Sequence, residues 1–391
     1  MALGVLAVEP WHAGSHRDFL QGLCSRSRHR VTPVTLPGRF WKWRQTGSGM
    51  ILARRALDLW RATRGATGPH AAPDLILASD FLNLPDFLAL TRHQWPGVPA
   101  VLYMHENQLC YPLAEGHVLD PAYPQANLSS AAAADQVWFN SPHHHDAFFE
   151  GLERLLAACP DFPPRHLAAD IRAKSRVLPL GVDLAGLRQA AKPDKSGPLA
   201  ILWNHRWEHD KNPEEAFDAL FRLDGAGADF RLLVAGQRFG AAPGVFAQAK
   251  KRLAHRIDHW GYLDDRAAYA ALLARADVVI SLAHHDFFGV GVVEAMAMGA
   301  LPLLANRLNY PHLVPAPHHA TCLVADAGAL LERLAALCAD PAATRATAAG
   351  PAGWVAGFDW AAMAPAFDQA LDRAAHENGA HGAASGGRSG E

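Results

Sequence analysis

The sequence predicts an α/β protein of two domains, each built on a parallel sheet, and three observations support this. The chain has 391 residues, enough for two domains of ordinary size, and 50% of them are apolar, enough for two cores. Short apolar runs rich in Val, Ile and Leu recur along it, as is typical of parallel strands buried on both faces. Helical patterns lie between these runs, so the segments alternate as βαβ units.

The elements follow in order. The first domain, residues 1–184, is expected to hold strands at 3–8, from 31, and at 73–78, 100–104, 136–140 and 176–184. A linker rich in helix and strand breakers, 185–198, leads to a second domain at 199–357, with strands at 199–203, 230–235, 259–263, 278–282, 302–304 and 323–325. A last helix is predicted at 358–375 and a disordered, low-complexity tail at 376–391.

Cysteine usage and apolar run length narrow the class of protein. The five cysteines are scattered without paired spacing, which favours a reducing compartment, so we expect a cytoplasmic protein. No run approaches the ~20 apolar residues that cross a bilayer, so we expect no membrane insertion. The oligomeric state cannot be predicted from these features.

Charge is distributed unevenly although the net charge is only −2. Residues 1–75 contain 11 Lys and Arg against 4 Asp and Glu, a net charge of +7, whereas the remainder has 25 against 34, a net charge of −9. This asymmetry fits a polyanionic partner such as nucleic acid or an anionic membrane. Ordinary solvated arginines on surface helices would give the same count.

A glycine-containing loop follows the strand at 278–282 and is predicted to open a helix at Val290. The free amides of such a helix attract phosphate, and glycine lets a ligand approach the backbone. The residues expected to contact the phosphate-bearing ligand here are Phe288, Gly289 and Val290. Glu294 can accept hydrogen bonds from a ribose diol, and Asp286, separated from it by seven residues, can accept them from a sugar. The alternative is that these residues serve only the turn and the helix dipole.

Two cations follow the strand at 199–203. Arg206 and Lys211 come just before a helix for which Asn212 is the predicted N-cap and Pro213 the first residue. A departing nucleotide diphosphate needs positive donors to take up its charge. A charged loop can also be merely solvated.

Polar residues also follow strands of the first domain. Gly14, Ser15 and His16 lie where the first helix should begin, with Ser15 as the predicted N-cap and amides available for a diphosphate. A second group, His105, Glu106 and Asn107, directly follows the strand at 100–104. Three successive polar residues at a strand end favour binding or catalysis over packing. His143, His144 and His145 are interpreted as surface residues.

Aromatic and basic residues alternate after the strand that begins at residue 31. This segment is predicted to be a loop that stacks on bases and holds phosphates. Its candidate acceptor-binding residues are Arg39, Trp41, Lys42, Trp43 and Arg44. The alternative is an aromatic loop that lines the core.

These motifs resemble one family. The stretches VLAVEPWHAGSH, TLPGRFWKWR, YMHENQLCYP, HRWEHDKNPE, HWGYL and HDFFGVGVVEA are together similar to the tRNA-queuosine α-mannosyltransferases, retaining glycosyltransferases of the GT-B fold. The resemblance implies two Rossmann-like domains whose parallel sheets face a cleft, with a C-terminal helix that crosses back to the first domain. It implies transfer of mannose from GDP-mannose to the cyclopentene hydroxyl of queuosine in tRNA.

The resemblance also implies roles for individual residues. His105, Arg206, Lys211 and Asp286 would be catalytic. Gly14 and Ser15 would contact the donor, together with Phe288, Gly289, Val290 and Glu294, while His16, Glu106 and Asn107 would contact the acceptor. Asp286 departs from the family, which usually has glutamate there. No cofactor beyond the nucleotide sugar and no metal are expected, because cationic side chains supply the positive charge.

Two other functions fit the sequence. A GT-B glycosyltransferase could act on a lipid or polysaccharide acceptor, with the basic domain on an anionic membrane. A non-catalytic tRNA-binding protein could retain a decayed donor site.

Overall fold

The computed structural model describes residues 1–64, 72–112, 120–190, 193, 195–238, 240, 242–346 and 349–385. The chain divides into two compact units. The first unit contains residues 1–181 and the last helix, and the second unit is Val182–Asp359. Among the described residues no helix is both long and apolar enough to cross a membrane.

Each unit is built on a six-stranded parallel sheet, as the Val-, Ile- and Leu-rich runs predict. The first sheet has the order β2-β1-β3-β4-β5-β6, and its strands are β1 Gly4–His12, β2 Arg30–Pro37, β3 Leu75–Ser79, β4 Ala100–Met104, β5 Gln136–Phe139 and β6 Ser175–Val177. The second has the order β12-β11-β10-β7-β8-β9, and its strands are β7 Leu199–Asn204, β8 Phe230–Ala235, β9 Ile257–Gly261, β10 Val278–Ser281, β11 Leu301–Ala305 and β12 Leu323–Val324.

Helices connect the strands. In the first unit they are α1 Gly14–Arg26, α2 Trp41–Arg64, α3 Leu84–Thr91, α4 Ala122–Ala133, α5 Pro142–Ala157 and α6 His166–Ala173. In the second they are α7 Leu184–Leu187, α8 Pro213–Gly225, α9 Val245–Arg252, α10 Arg266–Arg275, α11 Val290–Ala297, α12 Tyr310–Leu313, α13 His319–Cys322, α14 Ala327–Ala339, α15 Pro341–Ala346 and α16 Ala349–Trp354. Short 3-10 turns lie at His209–Lys211, Ala316–His318 and Ala356–Phe358.

The last helix, α17 Trp360–Ser385, returns to the first unit, in agreement with the predicted fold. Phe367 contacts Phe19 of α1 at 5.3 Å between ring centroids and Tyr103 of β4 at 5.6 Å. The helix continues beyond the predicted end near residue 375, and residues 386–391 of the predicted tail lie outside the described residues. The aromatic cluster formed here also supports the polar residues at the end of β4.

Candidate functional site

Both sheets place their candidate residues where the strand order reverses. In the first sheet this position lies between β1 and β3, and in the second between β7 and β10. Open α/β sheets bind ligands at the carboxyl ends of such neighbouring strands, because the connecting loops diverge there. Polar side chains gather at this position in each unit.

A buried ion pair lies at this edge of the first sheet. Glu9 of β1 places Oε2 3.0 Å from Nδ1 of His16 on α1, and its Oε1 accepts a hydrogen bond from the Trp11 amide at 2.6 Å. Burial alone would lower the pKa of His16, but the Glu9 carboxylate outweighs burial and raises this pKa to about 9. His16 is therefore a cation at neutral pH, held in one orientation by Glu9.

The His105 ring stacks beside His16, with ring centroids 4.1 Å apart. Phe19 and Tyr103 contact the same ring edge-on, each at 4.9 Å. Burial, together with the charges of His16 and His144, holds the pKa of His105 well below its usual value. His105 is thus a neutral imidazole in a fixed orientation, and its Nδ1 has no hydrogen-bond partner among the described residues.

Asp80, which follows β3, fixes the backbone of this cluster. Its Oδ1 accepts a hydrogen bond from the His105 amide at 2.8 Å. Burial raises the pKa of Asp80 to about 8, while the neighbouring His16 charge opposes this rise. Asn140, after β5, donates to the His105 carbonyl at 2.9 Å. The backbone of the His105 turn is therefore held by side chains from two neighbouring strands.

The two residues after His105 differ from each other in their roles. The Asn107 side-chain oxygen accepts from the Leu109 and Cys110 amides at 2.9 and 3.3 Å, so it shapes the loop, and its Nδ2 has no partner among the described residues. Glu106 is half-buried and accepts a long hydrogen bond, 3.5 Å, from Gln108. The Nδ2 group of Asn107 is therefore the part of this turn that can donate to a ligand.

The first cluster also has a spacing that a metal ion could use. One ligand atom from each of Glu9, His16 and His105 lies within 4.8 Å of the others. The Glu9 carboxylate already has two partners, His16 and the Trp11 amide, which together account for its burial. Metal-independent chemistry stays a prediction.

Lys211 is buried at the corresponding edge of the second sheet. Its Nζ lies 2.9 Å from Oδ2 of Asp210 and donates to the His285 carbonyl. The nearby Lys211 charge overcomes the burial of Asp210 and lowers the pKa of that carboxyl. Because an ammonium has three N–H groups, two of these contacts leave one for a further oxygen.

The segment that holds Lys211 follows β7 and is tightly folded. His205 is buried, and burial lowers its pKa to about 4, so it is neutral. A Cβ on Gly236, at the end of β8, would lie 1.7 Å from the His205 carbonyl oxygen, so only glycine permits this approach. Arg206 is exposed and lies 3.2 Å from Glu208. One candidate cation is thus buried and fixed, and the other is accessible to solvent.

Asn212 is the residue before α8, as predicted, but it does not cap that helix. It adopts a left-handed conformation, with φ of 49°, and makes no side-chain cap. Its side-chain Nδ2 instead donates to the Leu282 carbonyl at 3.1 Å, and this bond connects the loop after β7 to the loop after β10. Asparagine tolerates this backbone conformation better than most residues.

Asp286 orders its own loop. Its Oδ1 accepts a hydrogen bond from the Gly289 amide at 2.9 Å, and its Oδ2 lies 3.4 Å from the Tyr310 hydroxyl. Gly289 is left-handed, with φ of 92°, and precedes α11. The short Asp286 side chain therefore bonds the turn that precedes α11. The first backbone amides of α11 lie at the carboxyl edge of the sheet.

Glu294 of α11 is buried within a hydrogen-bonded chain. Its Oε2 accepts from the Tyr269 hydroxyl at 2.7 Å, and its Oε1 lies 2.8 Å from Nη2 of Arg266. Asn204, the last residue of β7, donates to the same Tyr269 oxygen at 2.7 Å. Each carboxylate oxygen has remaining lone pairs, so Glu294 can still accept from a ligand diol.

The other predicted donor-binding residues, between β10 and the first turn of α11, are held in position by packing and by backbone hydrogen bonds. The Phe288 side chain is buried and contacts Phe358 at 5.2 Å, so only its backbone remains for a ligand. Val290 is half-buried at the first position of α11. Asn309 donates to the Phe288 carbonyl at 2.9 Å, and Arg307 donates to the carbonyls of Leu282 and Ala283.

The segment of alternating aromatic and basic residues is a helix and not the predicted loop. The helix α2 begins at Trp41, directly after Phe40. Arg44 is buried and its guanidinium donates to the Pro37 carbonyl at 3.3 Å, so it holds the turn and does not face a partner. Arg39, Lys42 and Trp43 are exposed, and Trp41 is half-buried.

Two further predictions about the first unit are wrong. Ala13, and not Ser15, is the residue before α1, and it makes no side-chain cap, while Gly14 and Ser15 are exposed in the first turn. His144 is buried, and not a surface residue, because its Nδ1 bonds the Asn140 side-chain oxygen at 2.9 Å. A side chain at this helix start faces the polar cluster, which the sequence pattern does not reveal.

Sequence reasoning missed several members of the two clusters. Glu9 and Asp80 belong to the first, and Tyr269 and Arg266 to the second. Glu9 carries a detectable signal, since an acid in an apolar first strand must find a partner when buried. Tyr269 and Arg266 lie on a helix 25 or more residues before Glu294 and carry no such signal.

Comparisons with known proteins agree with this architecture. A family model described as tRNA-queuosine alpha-mannosyltransferase N-terminal matches residues 4–182, and one described as glycosyl transferases group 1 matches residues 188–350. The chain is 30% identical over 320 residues to a tRNA-queuosine alpha-mannosyltransferase of Drosophila melanogaster, which covers 80% of this chain and 81% of that protein. It is 35% identical over 139 residues, about a third of each chain, to a GDP-mannose-dependent alpha-(1-6)-phosphatidylinositol dimannoside mannosyltransferase of Mycobacterium tuberculosis.

Solved structures share the fold. A sucrose-phosphate synthase from Thermosynechococcus elongatus superposes with a TM-score of 0.69 at 17% identity, covering 94% of this chain and 98% of that one. Anabaena HepE, in complex with UDP and glucose, superposes with a TM-score of 0.65 at 16% identity, covering 95% and 99%. At these identities the likeness concerns the fold alone.

Proposed function

We propose, because the chain belongs to the tRNA-queuosine α-mannosyltransferase family, that it transfers mannose from GDP-mannose to a cyclopentene hydroxyl of queuosine in tRNA. The chain is a glycosyltransferase of the GT-B fold. The proposed donor and acceptor rest on the similarity to the Drosophila protein, which extends over most of both chains. The geometry of the two clusters supports the chemistry.

The second unit supplies the groups that a nucleotide sugar requires. Glu294 accepts hydrogen bonds from the ribose diol, while the remaining N–H of Lys211 and the exposed Arg206 bind the diphosphate. The amides at the start of α11 add further positive potential. Because Lys211 is buried and fixed by Asp210, its charge acts on the leaving phosphate with little screening.

The first unit binds the acceptor and supplies a neutral imidazole. His105 is held neutral by burial and by His16, so it can exchange hydrogen bonds with a sugar hydroxyl without placing a second charge there. His16, Glu106 and Asn107 face the acceptor in this proposal. The acceptor RNA approaches the side of the unit that carries Arg39, Trp41, Lys42 and Trp43.

From its family we expect the enzyme to retain the configuration of the anomeric carbon, and the first cluster fits a route without a covalent intermediate. Of its two buried carboxyls, Glu9 is paired with His16, and burial keeps Asp80 largely protonated near neutral pH. The acceptor oxygen therefore attacks on the face from which the phosphate departs. The bond from the anomeric carbon to phosphate breaks, the bond to the acceptor oxygen forms, and the acceptor proton passes to the leaving phosphate oxygen. Arg206 and Lys211 supply the charge that a metal ion would otherwise provide.

A labelled-sugar assay tests the proposal. Total tRNA with and without queuosine is incubated with the protein and with GDP-mannose, GDP-fucose, UDP-glucose or UDP-galactose, and sugar incorporated into RNA is counted. We expect incorporation only from GDP-mannose and only into tRNA that contains queuosine. Equal incorporation into both tRNA pools would overturn the proposed acceptor, and preference for a UDP-sugar would overturn the proposed donor.

We expect this tRNA-modifying reaction to take place in the cytoplasm.

A further inference from the structure

Two aromatic side chains at the start of α2 are exposed to an unusual degree. Phe40 is 71% exposed and Trp43 is 51% exposed. Phe40 also has a positive φ of 58°, which is uncommon for a bulky residue and strains the backbone. Neither exposure nor this backbone conformation contributes to the core of the unit. Such a combination is typical of a binding surface.

The Trp43 indole lies over Gly47, one turn further along α2. A Cβ built on Gly47 would lie only 2.8 Å from two indole carbons, so glycine alone leaves room for the ring in this position. The ring is thereby fixed against the helix while about half of the side chain remains accessible. A flat ring held on one side and open on the other is suited to stacking.

The neighbouring aromatic residue is used differently. Trp41 is half-buried and contacts Tyr123 of α4 at 4.9 Å, and Lys42 lies over both rings at 5.7 and 6.0 Å. Arg39 lies 5.8 Å from the Phe40 ring centroid. The accessible surface thus has two aromatic rings, Phe40 with the Arg39 guanidinium beside it and Trp43, which follows Lys42 in the chain. We call Arg39, Phe40, Lys42 and Trp43 the aromatic platform.

The aromatic platform lies at the functional edge of the first sheet. Strand β2 ends at Pro37, which pairs with His12 at the end of β1, and the platform follows directly. His16, four residues beyond His12, belongs to the Glu9 and His105 cluster. A molecule bound to the platform would therefore extend toward the residues proposed to hold the acceptor.

We propose that Phe40 and Trp43 stack on unpaired bases of the acceptor RNA, with Arg39 and Lys42 on the phosphates beside them. This inference rests on the proposed function and names how its acceptor is held. Unpaired bases are the part of an RNA that aromatic side chains can reach, because the bases of a duplex are stacked on one another. The excess of positive charge in residues 1–75, 11 basic against 4 acidic, matches the phosphates.

RNA affinity of the full-length protein tests the platform. Binding of a fluorescent anticodon stem-loop is measured by anisotropy for wild type, Phe40→Ala and Trp43→Ala. We expect each variant to bind about tenfold more weakly, since a base stacked on an aromatic ring contributes roughly that factor or more. In transfer assays the KM for tRNA rises while kcat stays near that of wild type. A fully paired hairpin should bind all three proteins equally.

Phe162 provides a matched control. It is 90% exposed and also has a positive φ, 43°, but it follows α5, which begins at the carboxyl edge of β5 and runs away from it. Phe162→Ala should bind RNA like wild type. Gly47→Ala is a second test, since alanine favours a helix yet displaces the Trp43 ring. It should weaken RNA binding severalfold without lowering the melting temperature.

The outcomes separate this inference from the proposed function. If wild type modifies tRNA but Phe40→Ala and Trp43→Ala bind RNA as tightly as Phe162→Ala, the platform is wrong and the function stands. If those variants instead lose only binding to anionic phosphatidylserine vesicles, the surface is a lipid site and the inference fails. If wild type neither binds the stem-loop nor transfers sugar to any tRNA, the proposed function fails with it.

Discussion

Glu9 Oε2 and His16 Nδ1 lie 3.0 Å apart in a buried ion pair, and the His16 ring rests against His105 at 4.1 Å. A carboxylate in the first strand thereby sets the charge of one histidine, and that histidine helps to keep the next one neutral. The electrostatic state of the first cluster thus depends on a residue that does not itself face the acceptor.

Replacing Glu9 by Gln should make the stability of the protein less sensitive to alkaline pH. The pKa of His16 is 6.5 when unfolded and about 9 when folded, so the pair stabilises the fold fully below pH 6.5 and is lost as pH rises through about 9. The difference in unfolding free energy between wild type and Glu9→Gln should be on the order of 3 kcal/mol at pH 6 and shrink toward zero above pH 9. Urea unfolding at several pH values measures it.

Asp80, Glu106 and His105 lie near His16 in both proteins and interact with its charge, so a control variant is measured over the same pH range. Asp18→Asn is the control, because Asp18 forms an exposed pair with Arg17 and its loss should change stability by less than about 0.5 kcal/mol at every pH. A Glu9→Gln difference that is constant from pH 6 to pH 9.5 would mean that the pair carries no charge.

Replacing Lys211 by Ala should abolish transfer and also destabilise the second unit. Asp210 would keep a buried charge without its partner, at a cost of roughly 3 kcal/mol or more. The double variant Asp210→Asn with Lys211→Met removes both charges and should recover most of the stability. It should still lack transfer, because the cation for the leaving phosphate is gone.

Thermal unfolding and transfer rate together test this pair, with Lys250→Ala on α9 as a control of the same residue type at an exposed position. If the double variant is stable and transfers sugar at the wild-type rate, Lys211 does not take part in the reaction.

Replacing Tyr269 by Phe should weaken binding of GDP. The Tyr269 hydroxyl donates to Glu294 and accepts from Asn204, so its loss leaves the carboxylate free to move from the ribose position. We expect about five- to tenfold weaker binding, in line with the loss of one hydrogen bond to a charged group. Calorimetric titration with GDP measures it, and Tyr123→Phe in the first unit should bind normally. Unchanged affinity would show that Tyr269 does not position Glu294 for the ribose.

Gly236 to Ala should disrupt the loop that carries Arg206 and Lys211. The new Cβ would lie 1.7 Å from the His205 carbonyl oxygen, so the loop must shift. Gly227 is the control, because it also has a positive φ, 79°, but has no atom within 4 Å of its Cβ position. Gly227→Ala should cost roughly 1 kcal/mol from backbone strain, whereas Gly236→Ala should cost more and also weaken GDP binding. If the two variants weaken GDP binding equally, the close approach of Gly236 to the His205 carbonyl does not position the cation-bearing loop.

Chelation should leave transfer unchanged. Because Arg206 and Lys211 supply positive charge, activity in excess EDTA should equal that in buffer. Activity that is lost with EDTA and restored by one added divalent cation would contradict this expectation. The spacing of Glu9, His16 and His105 would then be the first place to look for the ion.

The local sequence predicted the sheets well because their strands are continuous apolar runs between breakers. The return of the last helix to the first unit was also predictable, from the family resemblance. The start of α2 was not, because Trp41 to Arg44 alternates charge and ring without a clear helical period. Packing of this helix against the sheet decides its structure.

Side-chain partners were less predictable than elements. The sequence shows that Lys211 follows a strand but not that Asp210 and the His285 carbonyl bury it, since the latter comes from a loop after another strand. Arg44 is basic in a basic segment, yet it turns inward to the Pro37 carbonyl. Such choices depend on which loops meet at the edge of a sheet.

Nucleoside mass analysis can show directly whether the protein transfers mannose to queuosine. Queuosine-containing tRNA is incubated with GDP-mannose and wild type, or with the stable Asp210→Asn, Lys211→Met variant, then digested to nucleosides. We expect wild type to increase the mass of queuosine by one hexose and the variant to leave it unchanged. Queuosine of unaltered mass with wild type, or hexose found on another nucleoside, would contradict it.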